Sequence, residues 1–136
     1  MTSPSRARPP AGDEIRLAVP AQAEYGRLAR VTVAGLALRL GFSHIEVEDL
    51  RLAVDEGLIL LLDGGDHDGD VEAVYRLLGD AIEVELMADL GRGTPAPSAA
   101  ATDRFQTMVA DLVDVAVADP AKRVVRFRKA HRPPAA

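Results

Sequence analysis

The chain has 136 residues, 48% of them apolar and 27% charged, a composition that fits one globular domain able to bury a core without a disulfide or metal staple. Its 16 basic and 21 acidic residues leave a net charge of −5, but every acid lies between Asp13 and Asp119, where only 8 basic residues accompany them and the net is −13. An acidic body argues against a general nucleic-acid binder, which needs a basic face, and the absence of cysteine excludes disulfides and thiolate metal sites and fits a reducing cytoplasm.

Residues 1–12 (MTSPSRARPPAG) are rich in Pro, Ser, Ala and Arg, cannot build a core, and read as a disordered N-terminal tail. Glu14–Val19 alternates polar and apolar residues and reads as a half-buried strand ended by Pro20. A helix is expected from Gln22 to Leu40, with Leu28, Val31 and Leu38 near one face and Gly41 as its stop. Ser43 is placed to cap a second helix, Ile45 to about Leu62, with Glu46 at the third following position. Val47, Leu50, Val54 and Leu61 share a face of that helix, and its apolar last turn marks it as central and buried.

Asp63–Asp70 (DGGDHDGD) is a polar loop. Two strands follow, Val71–Leu78 and Ala81–Ala88, joined at Gly79-Asp80, a good two-residue hairpin signal. Asp89–Ala101 reads as a loop of small residues, Gly and Pro, and a third helix is expected from Asp103 to Ala118, capped by Thr102 and broken at Asp119-Pro120. Arg123–Lys129 is the last strand, and residues 131–136 read as a flexible tail. The order β-α-α-β-β-α-β predicts a mixed sheet with helices on one face, a two-layer α/β sandwich spanning residues 13–130. No apolar run approaches the roughly 20 residues of a membrane span, and no apolar stretch follows Arg6 and Arg8 to make a signal peptide.

Two features carry chemistry. Helical spacing sets Glu56 beside Leu52, Ile59 and Leu60, and a carboxylate in apolar company is either paired or used. Glu56 is therefore a candidate general base, or else a surface carboxylate paired with Arg51 or capping a loop. Asp89-Leu90-Gly91-Arg92-Gly93 follows a strand directly. Its glycines let backbone approach a ligand and its carboxylate can accept from an amino group, although an ordinary strand-to-loop turn explains the same residues.

Taken in order, a strand, a helix, a helix carrying "DLRLAVDEG", a hairpin ending in "VELMADLGRG", a loop, "VADLVDVAV" and a final strand resemble the anti-sigma-factor serine-protein kinases. That family is a branch of the histidine-kinase-like (GHKL) ATPases, and the resemblance runs from Glu14 to Lys129. It implies a sandwich of the histidine-kinase-like ATPase type that binds ATP and magnesium, holds a sigma factor away from RNA polymerase, and phosphorylates a serine on an anti-anti-sigma partner. It also implies pairing of two copies. In the family pattern E-x-x-x-N, Glu56 takes the place of the base, whereas Leu60 stands where a magnesium-binding Asn belongs and Gly64 where a His often follows. Leucine cannot ligate a hard cation. Asp89 would contact adenine, with Gly91 and Gly93 shaping the floor of the site. The second glycine box, which should cradle phosphate before "MVADLVD", has Asp103 and Phe105 in place of its glycines.

The resemblance thus points to a divergent member: the adenine end retained, the metal and phosphate ends lost, ATP binding weak or absent and magnesium doubtful. A sigma factor or anti-anti-sigma protein is then the expected partner. A competent ATP-dependent serine kinase and a non-catalytic dimerising module stand as alternatives, and Asp63, one turn beyond Leu60, is the oxygen that would favour the kinase.

Other chemistries find less. Asp66-x-Asp68-x-Asp70 begins like a calcium loop, but the sixth position is Val71 and the twelfth Leu77. There is no G-x-S-x-G elbow, and His44, His67 and His131 fall in loops or tail. The basic last strand, with Arg123, Arg126, Arg128 and Lys129, reads as an edge whose charges discourage edge-to-edge pairing.

Overall fold

The computed structural model describes residues 12–133. Its elements are β1 (Glu14–Pro20), a 3₁₀ turn (Ala23–Tyr25), α1 (Gly26–Arg39), α2 (His44–Leu61), β2 (Gly69–Leu77), β3 (Ala81–Leu90), α3 (Ala99–Val109), β4 (Val115–Asp119) and β5 (Val124–Ala130). The five strands form one sheet in the order β1-β2-β3-β5-β4, and each neighbouring pair is antiparallel. The sheet expected to be mixed is therefore antiparallel throughout: β2–β3 and β4–β5 are consecutive antiparallel pairs, α1 and α2 carry the chain from β1 back to β2, and α3 carries it from β3 to the edge strand β4, with β5 pairing between them.

Alternation along the strands makes the two layers. Val71, Ala73, Tyr75 and Leu77 of β2, Ile82, Val84 and Leu86 of β3, and Val125 and Phe127 of β5 are buried in one core with residues of all three helices. The opposite sheet face is charged. Arg76 bonds Glu14, Glu83 and Glu85 at 3.1–3.2 Å, and Arg16 bonds Glu14 and Glu72. Val74, with Arg16 and Glu85 as its cross-strand neighbours, is fully buried on that face under the stems of these long side chains.

Several local expectations hold. Ser43 and Glu46 form a reciprocal capping box at the start of α2, each side chain accepting from the other's backbone amide. Gly79-Asp80 closes the β2–β3 hairpin, with Gly79 at φ +76. Gly41 ends α1 at φ +86.

Others are corrected. The helical segment opens with the 3₁₀ turn, and α1 proper begins at Gly26. Leu28, Val31 and Leu38 face outward, about half exposed, while Gly26, Ala29, Val33 and Ala37 are buried. α1 lies too close to the sheet for leucine: the Tyr75 hydroxyl of β2 donates to the Ala29 carbonyl at 3.0 Å. β3 continues through Asp89 and Leu90, which pair with Asp70 and Gly69. α3 starts at Ala99 instead of Asp103, and its cap is Ser98, not Thr102. It ends at Val109, and Val115–Asp119 leaves helix to become β4, an eighth element in the chain order. Val-Ala-Val-Ala suits a strand, with Ala116 and Ala118 packed against the core and Val115 and Val117 exposed.

Within the segment read as a flexible tail, His131 and Arg132 contact the domain. The His131 Nδ1 lies 2.7 Å from Glu46 Oε1, its ring packs on Phe42 at 5.3 Å, and the Arg132 amide donates to Glu46 Oε2 at 2.8 Å. Of the N-terminal tail, residues 1–11 lie outside the described residues, as do 134–136 of the C-terminal tail.

Candidate functional site

α2 positions most of the candidate groups because it packs hard against the sheet. A Cβ on Gly57 would lie 2.8 Å from Leu86 Cδ1 of β3, so glycine is what lets the helix sit this low. One residue earlier, Glu56 is 8% exposed. Both of its carboxylate oxygens are taken by Arg104 of α3, which donates Nε to Oε1 at 3.0 Å and Nη2 to Oε2 at 3.1 Å. The charge-assisted fork holds the guanidinium in its protonated form, raising its pKa. Arg51, the partner suggested by spacing, instead pairs with Glu48 at 3.2 Å, and Asp55 pairs with Arg30 at 2.9 Å on the α1 side.

Leu60 is 1% exposed and belongs to the core. Asp63, the oxygen one turn beyond, is engaged as well: its Oδ2 accepts from the Ser98 amide at 2.9 Å. Ser98 is the N-cap of α3, where amides and helix dipole favour an anion, so the chain's own carboxylate stands at that helix start. Asp103 is exposed on α3, and Phe105 is 1% exposed in the core.

The glycine box lies at the end of β3. Asp89 is exposed and opposite Asp70. The backbone here is tight: a Cβ on Gly69 would fall 2.0 Å from the Asp89 carbonyl oxygen, and Gly69 has φ +103. The Gly91 amide donates to the Asp68 carbonyl at 3.2 Å, the Thr94 hydroxyl donates to the Gly91 carbonyl at 2.6 Å, and Gly93 has φ +84. Arg123, left-handed at φ 54, donates from its guanidinium to the carbonyls of Thr94 and Pro95 and so ties down the loop that follows the box. In the acidic loop, Asp66 accepts from the Ala23 amide at 2.9 Å and caps the 3₁₀ turn.

The structure thus joins Glu56 to Arg104 and Asp63 to Ser98, and it leaves Asp89 open to solvent. Near Leu60, both carboxylate oxygens of Glu56 and one of Asp63 are bonded to protein donors. Arg104, Ser98 and Arg123 were not legible as site residues. The first lies 48 positions from its partner, and no local pattern pairs two residues at that separation.

No helix among the described residues is long and apolar enough to cross a membrane. No family model matches the chain. The chain is similar to the serine-protein kinase RsbW of Listeria innocua, 36% identical over 77 residues, or 54% of this chain and 49% of the relative. It is 37% identical over 82 residues to the RsbW of Oceanobacillus iheyensis, covering 58% of this chain and 51% of the relative. It spans about half the length of the curated relatives it matches. Its fold matches a crystal structure of the RsbU and RsbW domains of a Mycobacterium tuberculosis protein with a TM-score of 0.65 and 18% identity, covering 91% of this chain and 34% of that one. Over a little more than half of its length, this chain is thus similar in sequence to serine-protein kinases named RsbW, and it shares its fold with a structure that contains an RsbW domain.

Proposed function

We propose that this protein is a cytoplasmic regulator of the anti-sigma type, which acts by binding a sigma factor or an anti-anti-sigma partner and not by transferring phosphate. The observation that carries the reading is the Glu56–Arg104 fork. A general base must be free to take a proton from the attacking hydroxyl, and this carboxylate has both oxygens committed to a guanidinium. Leu60 in the core supports the same reading, because it offers magnesium no oxygen, and Asp63 already has one carboxylate oxygen on the Ser98 amide. Asp89, exposed at the end of β3, supports residual adenine-nucleotide binding that does not depend on magnesium. The relatives' name, serine-protein kinase, supports descent from a phosphoryl-transfer enzyme. The domain is residues 13–130 with His131 and Arg132 strapped to it, paired as a homodimer, and its contacts are with protein, not nucleic acid or membrane.

Calorimetric titration with ATP, with and without magnesium, tests the nucleotide end, beside a phosphorylation assay on an anti-anti-sigma domain. Weak or absent binding, unchanged by magnesium, and no phosphoserine are expected. Tight magnesium-dependent binding with phosphate transfer would overturn the proposal in favour of an active serine kinase.

A further inference from the structure

The sheet has two edges, and they are built differently. β1 carries Glu14 and Arg16, both tied into the ion-pair mesh of the charged face, and ends in Pro20, features that discourage a further strand. β4, Val-Ala-Val-Ala-Asp, has no proline and no charge before its last residue. Val115 and Val117 are 50% and 54% exposed. Among the described residues only β5 pairs with β4, so one side of its backbone has no strand to bond. The arginines expected to guard an edge, Arg126 and Arg128, lie one strand in, because β4 pairs outside β5 and leaves the edge itself unguarded.

Register and charge say what fits. Val115 stands across from Arg128 and Val117 across from Arg126, so these four side chains share the charged face of the sheet. The carboxylates around them are Glu83, Glu85 and Asp119, and each is engaged. Arg76 holds Glu83 and Glu85 at 3.1 Å, Arg126 lies 3.8 Å from Glu85, and Asp119 accepts from the Lys122 amide at 3.2 Å. Arg128 and the Lys122 ammonium have no ion-pair partner among the described residues. The side chains left without a partner beside β4 are therefore both cations, one flanking Val115 and the other in the turn beyond Asp119.

We infer that β4 is a docking edge for an extended, acidic segment of a partner protein, which pairs with it as a sixth strand. Backbone hydrogen bonds to β4 supply affinity and alternate side chains supply specificity, the strand-addition mode of recognition. On the charged face, an apolar residue lies opposite Val117 and a carboxylate opposite Val115. That carboxylate and Arg128 then stand on strands about 10 Å apart, a gap that two long side chains close over the valine. The residues between fall beside Ala116 and Ala118. The edge uses none of the groups at the nucleotide end, so it stands or falls independently of the function proposed above.

The test uses the full chain and three synthetic peptides of about nine residues, a strand of about 30 Å. The first alternates valine and glutamate on one face and has serine on the other. The second has lysine for glutamate. The third is the first with every amide N-methylated, which removes its backbone donors. Affinity is measured by fluorescence anisotropy and the site is mapped by amide hydrogen exchange. The acidic peptide should bind, weaken with salt, and protect amides of β4, and the other two should bind at least about tenfold more weakly. Arg128→Gln with Lys122→Gln should lower the affinity of the acidic peptide by at least about threefold, since two exposed attractions are lost. Both side chains are exposed, and circular dichroism checks that the variant is folded. Equal binding of the acidic and lysine peptides, equal binding of the N-methylated one, no binding at all, an affinity unchanged in the variant, or protection confined to another element would overturn the inference. So would a concentration-dependent dimer that protects β4 without peptide, which would assign the edge to a second copy of the chain.

Discussion

The Glu56 carboxylate on α2 and the Arg104 guanidinium on α3 form a two-pronged ion pair, at 3.0 and 3.1 Å, across the place where the family resemblance sets a general base. The carboxylate is buried and the guanidinium half exposed, so the two ends of the bond are not equivalent. Removing the arginine strands a buried charge, while removing both partners does not.

Arg104→Ala should therefore lower the thermal midpoint, and adding Glu56→Leu to it should recover most of the loss. Thermal unfolding followed by circular dichroism for the two singles and the double closes the cycle. An Arg104→Ala midpoint equal to that of the parent would show that the fork contributes nothing to the fold.

Glu46 makes stability depend on acid. Burial raises its carboxyl pKa, but the amides of Ser43 and Arg132 and the His131 side chain outweigh burial and lower it from 4.5 to about 2. A carboxyl whose folded value lies below its unfolded value stabilises the folded state at any pH above about 4.5 and loses that contribution as the pH falls towards about 2. Urea midpoints measured across that window should fall more steeply in the parent than in Glu46→Gln. Parallel slopes would remove Glu46 as the cause.

Two glycines should respond in opposite directions. Gly69→Ala puts a methyl 2.0 Å from the Asp89 carbonyl oxygen at φ +103, and should cost at least about 1–3 kcal/mol. Gly35 sits in mid-α1 with open space around it and ordinary helical backbone, so Gly35→Ala should stabilise by about 1 kcal/mol. Denaturant unfolding of both variants reads the two signs, and a stabilising Gly69→Ala would contradict the tight backbone approach described here.

Tyr75→Phe removes the hydroxyl that ties β2 to the Ala29 carbonyl of α1. Tyr75 is fully buried and the Ala29 carbonyl keeps only its helical partner, so a loss of about 0.5–1.5 kcal/mol is expected from chemical denaturation. An unchanged midpoint would mean that packing alone holds α1 at that height.

Features that were legible share a short range. The Ser43–Glu46 capping box spans three positions, the Gly79-Asp80 turn two, and the inward alternation of β2 and β3 follows from the pleat. Two longer-range expectations failed for physical reasons. The large apolar residues of α1 drew attention to the wrong face, because a helix this close to a sheet buries Ala29, Val33 and Ala37 and turns Leu28, Val31 and Leu38 to solvent. The third helix is shorter than its sequence suggests because Val115–Asp119 pairs with β5, and that pairing makes the Ala-Val alternation a strand.

By itself, then, the sequence determined the layers, the family resemblance, and the absence of an oxygen ligand at position 60, since each rests on local periodicity or on the identity of a side chain. Tertiary structure alone decided which groups are free. Glu56 is claimed by Arg104 from 48 positions away, Asp63 by Ser98 from 35, and Glu46 by His131 from 85. The availability of a carboxylate depends on the donors that folding brings to it, and those come from elements far apart along the chain.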